Sequence, residues 1–262
     1  MPIRSNTRKA WIVVGGALTA LTVGITSIAA WSEVTQARRV AETTLRSHAL
    51  TSPGIAVETT GHVNVSVVGG ADRRLDLERT LQWTLDRPVV TEDWDGRTLT
   101  IGVRCPGGDR PDGPNCRADY TLILPMTTDV EVTSRFGTVS VGGVQGDLRL
   151  STAAGDVVVD DSQGALRVRA EMGNVSGTGL RSAGTDVETG AGNVDLGFAA
   201  PPGDVRAVVR TAGDVEVRVP DEDGYDVRAG DGNAIIQVRR DSAAPRRITA
   251  VTAAGELRIL PS

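Results

Sequence analysis

The sequence predicts an all-β protein: a β-solenoid, or β-helix-like stack, of roughly 18–20-residue repeats behind one transmembrane helix and a short helical stalk. Three observations carry the prediction. A short phrase recurs as TAAGDVVV (152–159), AEMGNVSG (170–177), TGAGNVDL (189–196) and RTAGDVEV (210–217). Apolar residues on either side of each recurrence alternate with period two, the pattern of a strand with one buried face. At the other end of the chain, an uncharged apolar run follows a basic N-terminus.

In chain order, residues 1–10 form a cytoplasmic tail carrying Arg4, Arg8 and Lys9. Residues 11–31 run from Trp11 to Trp31, and no charged residue lies between Lys9 and Glu33. That length spans the ~30 Å hydrocarbon core as a helix, with an aromatic ring at each interface. The basic flank places the N-terminus in the cytoplasm and the rest of the chain outside it. A cleaved signal peptide is the alternative, with Ser27-Ile28-Ala29 as its processing site, but the apolar run is longer than a usual signal core. Residues 32–53 read as a stalk and linker. They lack Gly and Pro as far as residue 50, and Val34, Ala37, Val40, Ala41 and Leu45 recur at helical spacing. Residues 54–125 alternate less regularly and are read as a β cap for the membrane-proximal end of the stack, with Trp83 and Trp94 packed there. Residues 126–262 are the solenoid repeats.

The repeat is anchored on Gly137, Gly155, Gly173, Gly192, Gly213, Gly232 and Gly255, separated by 18, 18, 19, 21, 19 and 23 residues. Each unit reads strand, glycine turn, strand, second turn. The second turn shows as GGVQGD (142–147), DSQG (161–164) and PDEDG (220–224). Units of one period stack on their neighbours, so seven coils rise roughly 30 Å. An antiparallel hairpin sandwich is the structural rival, but its registers favour two-residue turns. After the glycines stand Asp156, Asn174, Asn193, Asp214 and Asn233, expected to form a polar ladder at one corner. A Ca²⁺ ladder is an alternative, although the nonapeptide of calcium-binding β-rolls is absent. Cys105 and Cys116 flank PGGDRPDGPN; outside the cytoplasm they are expected to form a disulfide, with a metal site or free thiols as alternatives.

Composition narrows the function. Aromatics are 3% of the chain, so the core is built from small aliphatics, and a net charge of −5 argues against nucleic acid as a partner. His48 and His62 are the two histidines, and neither has a companion for nucleophilic or metal chemistry. Acidic groups such as Asp160-Asp161 and Asp221-Glu222-Asp223 fall in turns rather than in a converging pair. No catalytic, cofactor or metal residue is expected. Arg239, Arg240, Arg246 and Arg247 read first as a polar connecting loop, and alternatively as a contact for an anionic surface.

The passages GHVNVSV, DGRTLTIGV and DYTLILPMTTDVEVTSRFGTVSVGGVQGDLRLSTAAGDVVV resemble the bacterial putative-adhesin family of unknown function, over about residues 55–262. The resemblance implies a β-solenoid-like domain on the bacterial envelope and transfers no catalytic residue. The expected function is therefore a membrane-anchored, extracytoplasmic, non-enzymatic interaction or scaffold module, adhesive or stress-related, facing an envelope protein or an anionic cell-surface polymer. A carbohydrate-active solenoid enzyme, of lyase or hydrolase type, is the alternative.

Overall fold

The computed structural model describes residues 40–71, 73–84, 86–106, 116–221, 224–230 and 234–262. The apolar run 11–31, the first part of the stalk, the interior of the cysteine loop, Gly232 and Asn233 lie outside the described residues. Twenty strands are found among the described residues: β1 (Val40–Ala49), β2 (Gly54–Gly70), β3 (Arg74–Trp83), β4 (Val89–Trp94), β5 (Thr98–Arg104), β6 (Cys116–Pro125), β7 (Asp129–Phe136), β8 (Val139–Gly142), β9 (Leu148–Ala154) and β10 (Val157–Asp160), followed by β11 (Leu166–Met172), β12 (Val175–Leu180), β13 (Gly184–Ala191), β14 (Val194–Phe198), β15 (Asp204–Ala212), β16 (Val215–Val219), β17 (Asp226–Ala229), β18 (Ala234–Ile236), β19 (Arg247–Thr252) and β20 (Leu257–Pro261). Among them no helix is long and apolar enough to cross a membrane.

The predicted repeat is a coil. One strand of each unit joins a first parallel sheet, β7-β9-β11-β13-β15, and the strand after the glycine joins a second, β8-β10-β12-β14-β16. Equivalent residues stack in register: Val130, Leu148 and Leu166 in the first sheet, and Val139, Val157, Val175, Val194 and Val215 in the second. These inward positions are all buried, which is why alternation was so regular in the sequence. The third side of each coil is the second turn, and it is laddered too: Asp161 donates its N–H to Thr178 O, and Arg181 donates to Ser162 O.

Three features depart from expectation. Residues 40–49 form a strand, not a stalk helix: β1 lies against β3 at the sheet edge. The apolar residues at helical spacing had nothing to bury against, since Val40 and Leu45 remain exposed. The unpaired edge of β3 wins over a weak helix propensity. Second, residues 54–125 are more than a cap. β2 is a complete coil, running through both sheets beside β7 and β8. β5 and β6 form a further coil outside β2. Antiparallel strands enter only beyond that, β4 on β5 and β3 on β6.

Third, the coils do not stack in sequence order at the C-terminal end. β19 and β20 pair with β15 and β16 on one side and with β17 and β18 on the other. The last coil of the chain is thus inserted beneath the one before it. Nine coils result among the described residues, and eight steps at the spacing of paired strands make a stack about 38 Å tall.

Candidate functional site

The corner shows why glycine recurs. Gly173 has φ +139°, and a Cβ there would stand 2.1 Å from the carbonyl oxygen of Gly155 in the adjacent coil. The same contact runs from Gly155 to Gly137, from Gly192 to Gly173 and from Gly213 to Gly192. Gly255 stacks directly on Gly213. Behind the corner, threonine hydroxyls bond the glycine carbonyls: Thr189 to Gly173 O at 3.1 Å and Thr252 to Gly213 O at 2.7 Å.

The polar ladder stands beside this column. Asp156 Oδ1 accepts the N–H of Asn174 at 2.8 Å, Asn174 Oδ1 that of Asn193 at 3.0 Å, and Asn193 Oδ1 that of Asp214 at 2.9 Å. Asp214 continues it to Glu256 at 2.7 Å. Each side-chain oxygen holds the next coil, which is a structural use of the Asx position. Among the described residues no cluster of His, Cys, Asp or Glu could hold a metal ion. A second ladder, unmarked in the sequence reading, runs along the other turn: Asp129 Oδ1 accepts Asp147 N–H and Asp147 Oδ1 accepts Ala165 N–H, both at 2.9 Å. Its signal was the recurrent Gly-Asp and Gly-Ala pair at 146–147 and 164–165.

A disulfide joins Cys105 to Cys116, with Cα atoms 5.8 Å apart. It closes the connection between β5 and β6 at the corner where the repeats use glycine. His62 stacks on Phe136 and His48 tilts against Trp94. Trp83 and Trp94 pack against the core from the cap. Of the four arginines singled out, Arg247 pairs with Asp226 at 3.4 Å, and Arg239 donates its backbone N–H to Asp221 at 2.7 Å. The loop that carries Arg239, Arg240 and Arg246 connects β18 to β19.

Two charged constellations escaped the sequence reading. In the cap, Glu92 accepts from Arg79 at 2.6 Å, from Tyr120 Oη at 2.7 Å and from Arg46 at 2.7 Å. Its side chain is 8% exposed and that of Arg79 12%. Burial, then the bond to Glu92 and its charge, push the Tyr120 phenol far above its ordinary pKa. Four strands distant in sequence meet here, so no local pattern announces it.

The other constellation is the outer face of the first sheet. Asp186 on β13 is bonded by Arg169 and by Arg206 at 2.9 Å, and Arg206 also reaches Glu188 at 3.1 Å. Burial opposes ionisation of Asp186, but the bonds and charges of Arg169 and Arg206 outweigh it and hold its pKa below the usual carboxylate value. Arg210 pairs with Glu188 at 3.3 Å. Two open grooves cross this face. One, of about 390 Å³, passes Asp147, Arg149, Arg167, Gly184, Asp186 and Arg206. The next, of about 260 Å³, shares Asp147 and Arg149 and continues past Arg97 and Glu131.

No curated protein sequence matches the chain. Among solved structures, a "putative adhesin" from Bacteroides fragilis is similar at 12% identity and a TM-score of 0.46, covering 84% of this chain and 96% of that one. A "putative cell adhesion protein" from Clostridium sporogenes is similar at 14% identity and a TM-score of 0.39, covering 86% and 100%. A second "putative adhesin", from Parabacteroides merdae, has 12% identity and a TM-score of 0.36, covering 84% and 96%. Residues 125–259, from the end of β6 to the last strand, match the family described as Toastrack DUF4097. That span is more than half of the chain, and the protein belongs to the Toastrack DUF4097 family.

Proposed function

We propose that the protein is a membrane-anchored, extracytoplasmic, non-enzymatic interaction module of the bacterial envelope, adhesive or stress-related in role. The observation that carries this reading is the outer face of the first sheet. Its charged side chains repeat in register on stacked coils, as in the series Glu131, Arg149, Arg167, Asp186 and Arg206. A long, straight, polar surface of this kind suits an extended macromolecule better than a small substrate, which is held in a concave and largely apolar pocket. The grooves on the face are open and carry charged side chains of both signs. The apolar run 11–31 and its basic flank support an anchor with the β domain outside, and the Cys105–Cys116 bridge fits an oxidising compartment. The partner is an envelope protein or an anionic cell-surface polymer.

Crosslinking of intact cells followed by purification of the full chain tests the role. The expected result is a reproducible envelope partner, and protease added to spheroplasts should digest residues 50–262. Complete protection from protease, with both cysteines open to alkylation, would refute the extracytoplasmic placement.

A further inference from the structure

We propose that Arg149 and Arg167 form a phosphate-binding site, which grips phosphate groups of an anionic envelope polymer or lipid headgroup in the groove beside Gly184. The proposal rests on the interaction role above and names its ligand chemistry.

The two arginines are direct register partners on β9 and β11, so their side chains leave adjacent coils on the same outer face. Like charges placed directly opposite each other cost stability. The rest of this face avoids that cost. From β9 onward its other arginines all have an acid: Arg167, Arg169 and Arg206 share Asp186, Arg206 and Arg210 share Glu188, and Arg228 and Arg247 share Asp226. The Arg149 side chain alone among these has neither hydrogen bond nor ion pair among the described residues, although Glu131 stands in register on its other side. Among the described residues the only acid of Arg167 is Asp186, at a long 3.7 Å, and that carboxylate is already held by Arg169 and Arg206.

The space beside the pair is open. Ala165 and Gly184 follow Asp147 along the groove wall, so two coils present almost no side chain there, and a Cβ at Gly184 would meet nothing within 4 Å. Asp147 does not compete for the guanidinium groups through Oδ1, which holds the N–H of Ala165. Two planar, permanently charged forks one coil apart match the tetrahedral oxygens of a phosphate, which each can bond in bidentate fashion. Acids line the same grooves, Asp147, Asp186 and Asp204 in one and Asp129 and Glu131 in the next, so the cationic site is the Arg149–Arg167 pair itself.

The test uses the full chain in a neutral detergent and a fluorescent linear polyphosphate as probe, followed by anisotropy across a salt series. The wild type should bind. R149Q/R167Q should weaken binding by about tenfold or more and lower the salt slope by one to two phosphate contacts, roughly. R228Q, on the same face but far along the stack, should bind like the wild type. R149Q alone should melt at or above the wild-type temperature, because it relieves repulsion; a lower melting temperature would mean a structural role and overturn the proposal. Equal binding by wild type and R149Q/R167Q, or no binding by the wild type, would also overturn it. Competition separates the sources. Displacement by monomeric dihexanoyl phosphatidylglycerol as effective, per phosphate, as unlabelled polyphosphate assigns the site to headgroups. Displacement by polyphosphate alone assigns it to a polymer. Cell crosslinking reads the broader interaction role independently, so the two proposals fail separately.

Discussion

Gly173 shows how one atom sets the corner. Its positive φ and the Gly155 carbonyl leave no room for a methyl group. Gly173→Ala should cost about 2–4 kcal/mol in chemical denaturation, because strain and a backbone clash combine. Gly142→Ala, where a Cβ meets nothing, should stay within about 0.5 kcal/mol. Glu92 is the opposite case, a charge retained inside the cap by three donors. Glu92→Gln leaves the largely buried Arg79 with only the longer pair to Glu42, at 3.9 Å, and should cost about 3 kcal/mol, whereas Tyr120→Phe removes one neutral donor and should cost about 1–2 kcal/mol. Equal melting temperatures for the two variants would contradict that ranking. Asp186 makes a pH-dependent contribution. Its folded pKa is lowered, so its stabilisation is complete above the ordinary value of 3.8 and is lost as pH falls below that value through the folded pKa. The pairs are partly exposed and screened, so Asp186→Asn should cost less than about 1 kcal/mol at neutral pH. The wild-type and variant melting temperatures should converge between pH 4 and 2, roughly.

Among elements, the coil was plain in the sequence because three constraints repeat together. Leu148 and Leu150 alternate inward, Gly155 turns the corner, and Asp156 reaches the next coil. The polar ladder was legible for the same reason, since an Asx side chain after a glycine has few other uses. β1 was not legible. Its residues bury no face, and its strand form comes from the β3 edge and from contacts far away in sequence: Arg46 to Glu92, Thr43 to Thr80 and Ser47 to Asp76. The ion pairs of the outer face were equally hidden, because period-two alternation reports only that a position faces out, and not which charge stands beside it in the next coil. Unit equivalence has a direct consequence. Deleting residues 148–165 joins Asp147 to Leu166, which takes the register place of Leu148 beside Val130. The shortened chain should fold with an unchanged far-ultraviolet signal per residue and lower stability. Deleting residues 148–156 leaves a half-coil and should unfold the repeat, as thermal melts of both chains will show.

For the whole stack, the period predicts coils but not their order, because β15 can accept any strand with the same inward pattern. Val205 and Ala207 meet Ile248 and Ala250, where the sequence order would have supplied Val227 and Ala229. Choosing β19 places the six- and five-residue strands of the last unit inside and leaves the four- and three-residue strands of the preceding one at the edge, which shortens the exposed ladder. At the other end, β3 and β4 break the parallel pattern, and β1 lies against β3. The grooves proposed to hold an anionic partner lie between these ends, on coils fixed by both neighbours. The stacking order is tested most directly by paired cysteines on the outer face of the second sheet. Glu216 and Arg258 are register partners on β16 and β20, close enough for a disulfide, whereas Glu216 and Ile235 are separated by β20. Mild oxidation should crosslink E216C/R258C in high yield and leave E216C/I235C open; crosslinking of E216C/I235C in its place would show that the coils follow the sequence order and contradict the inserted last coil.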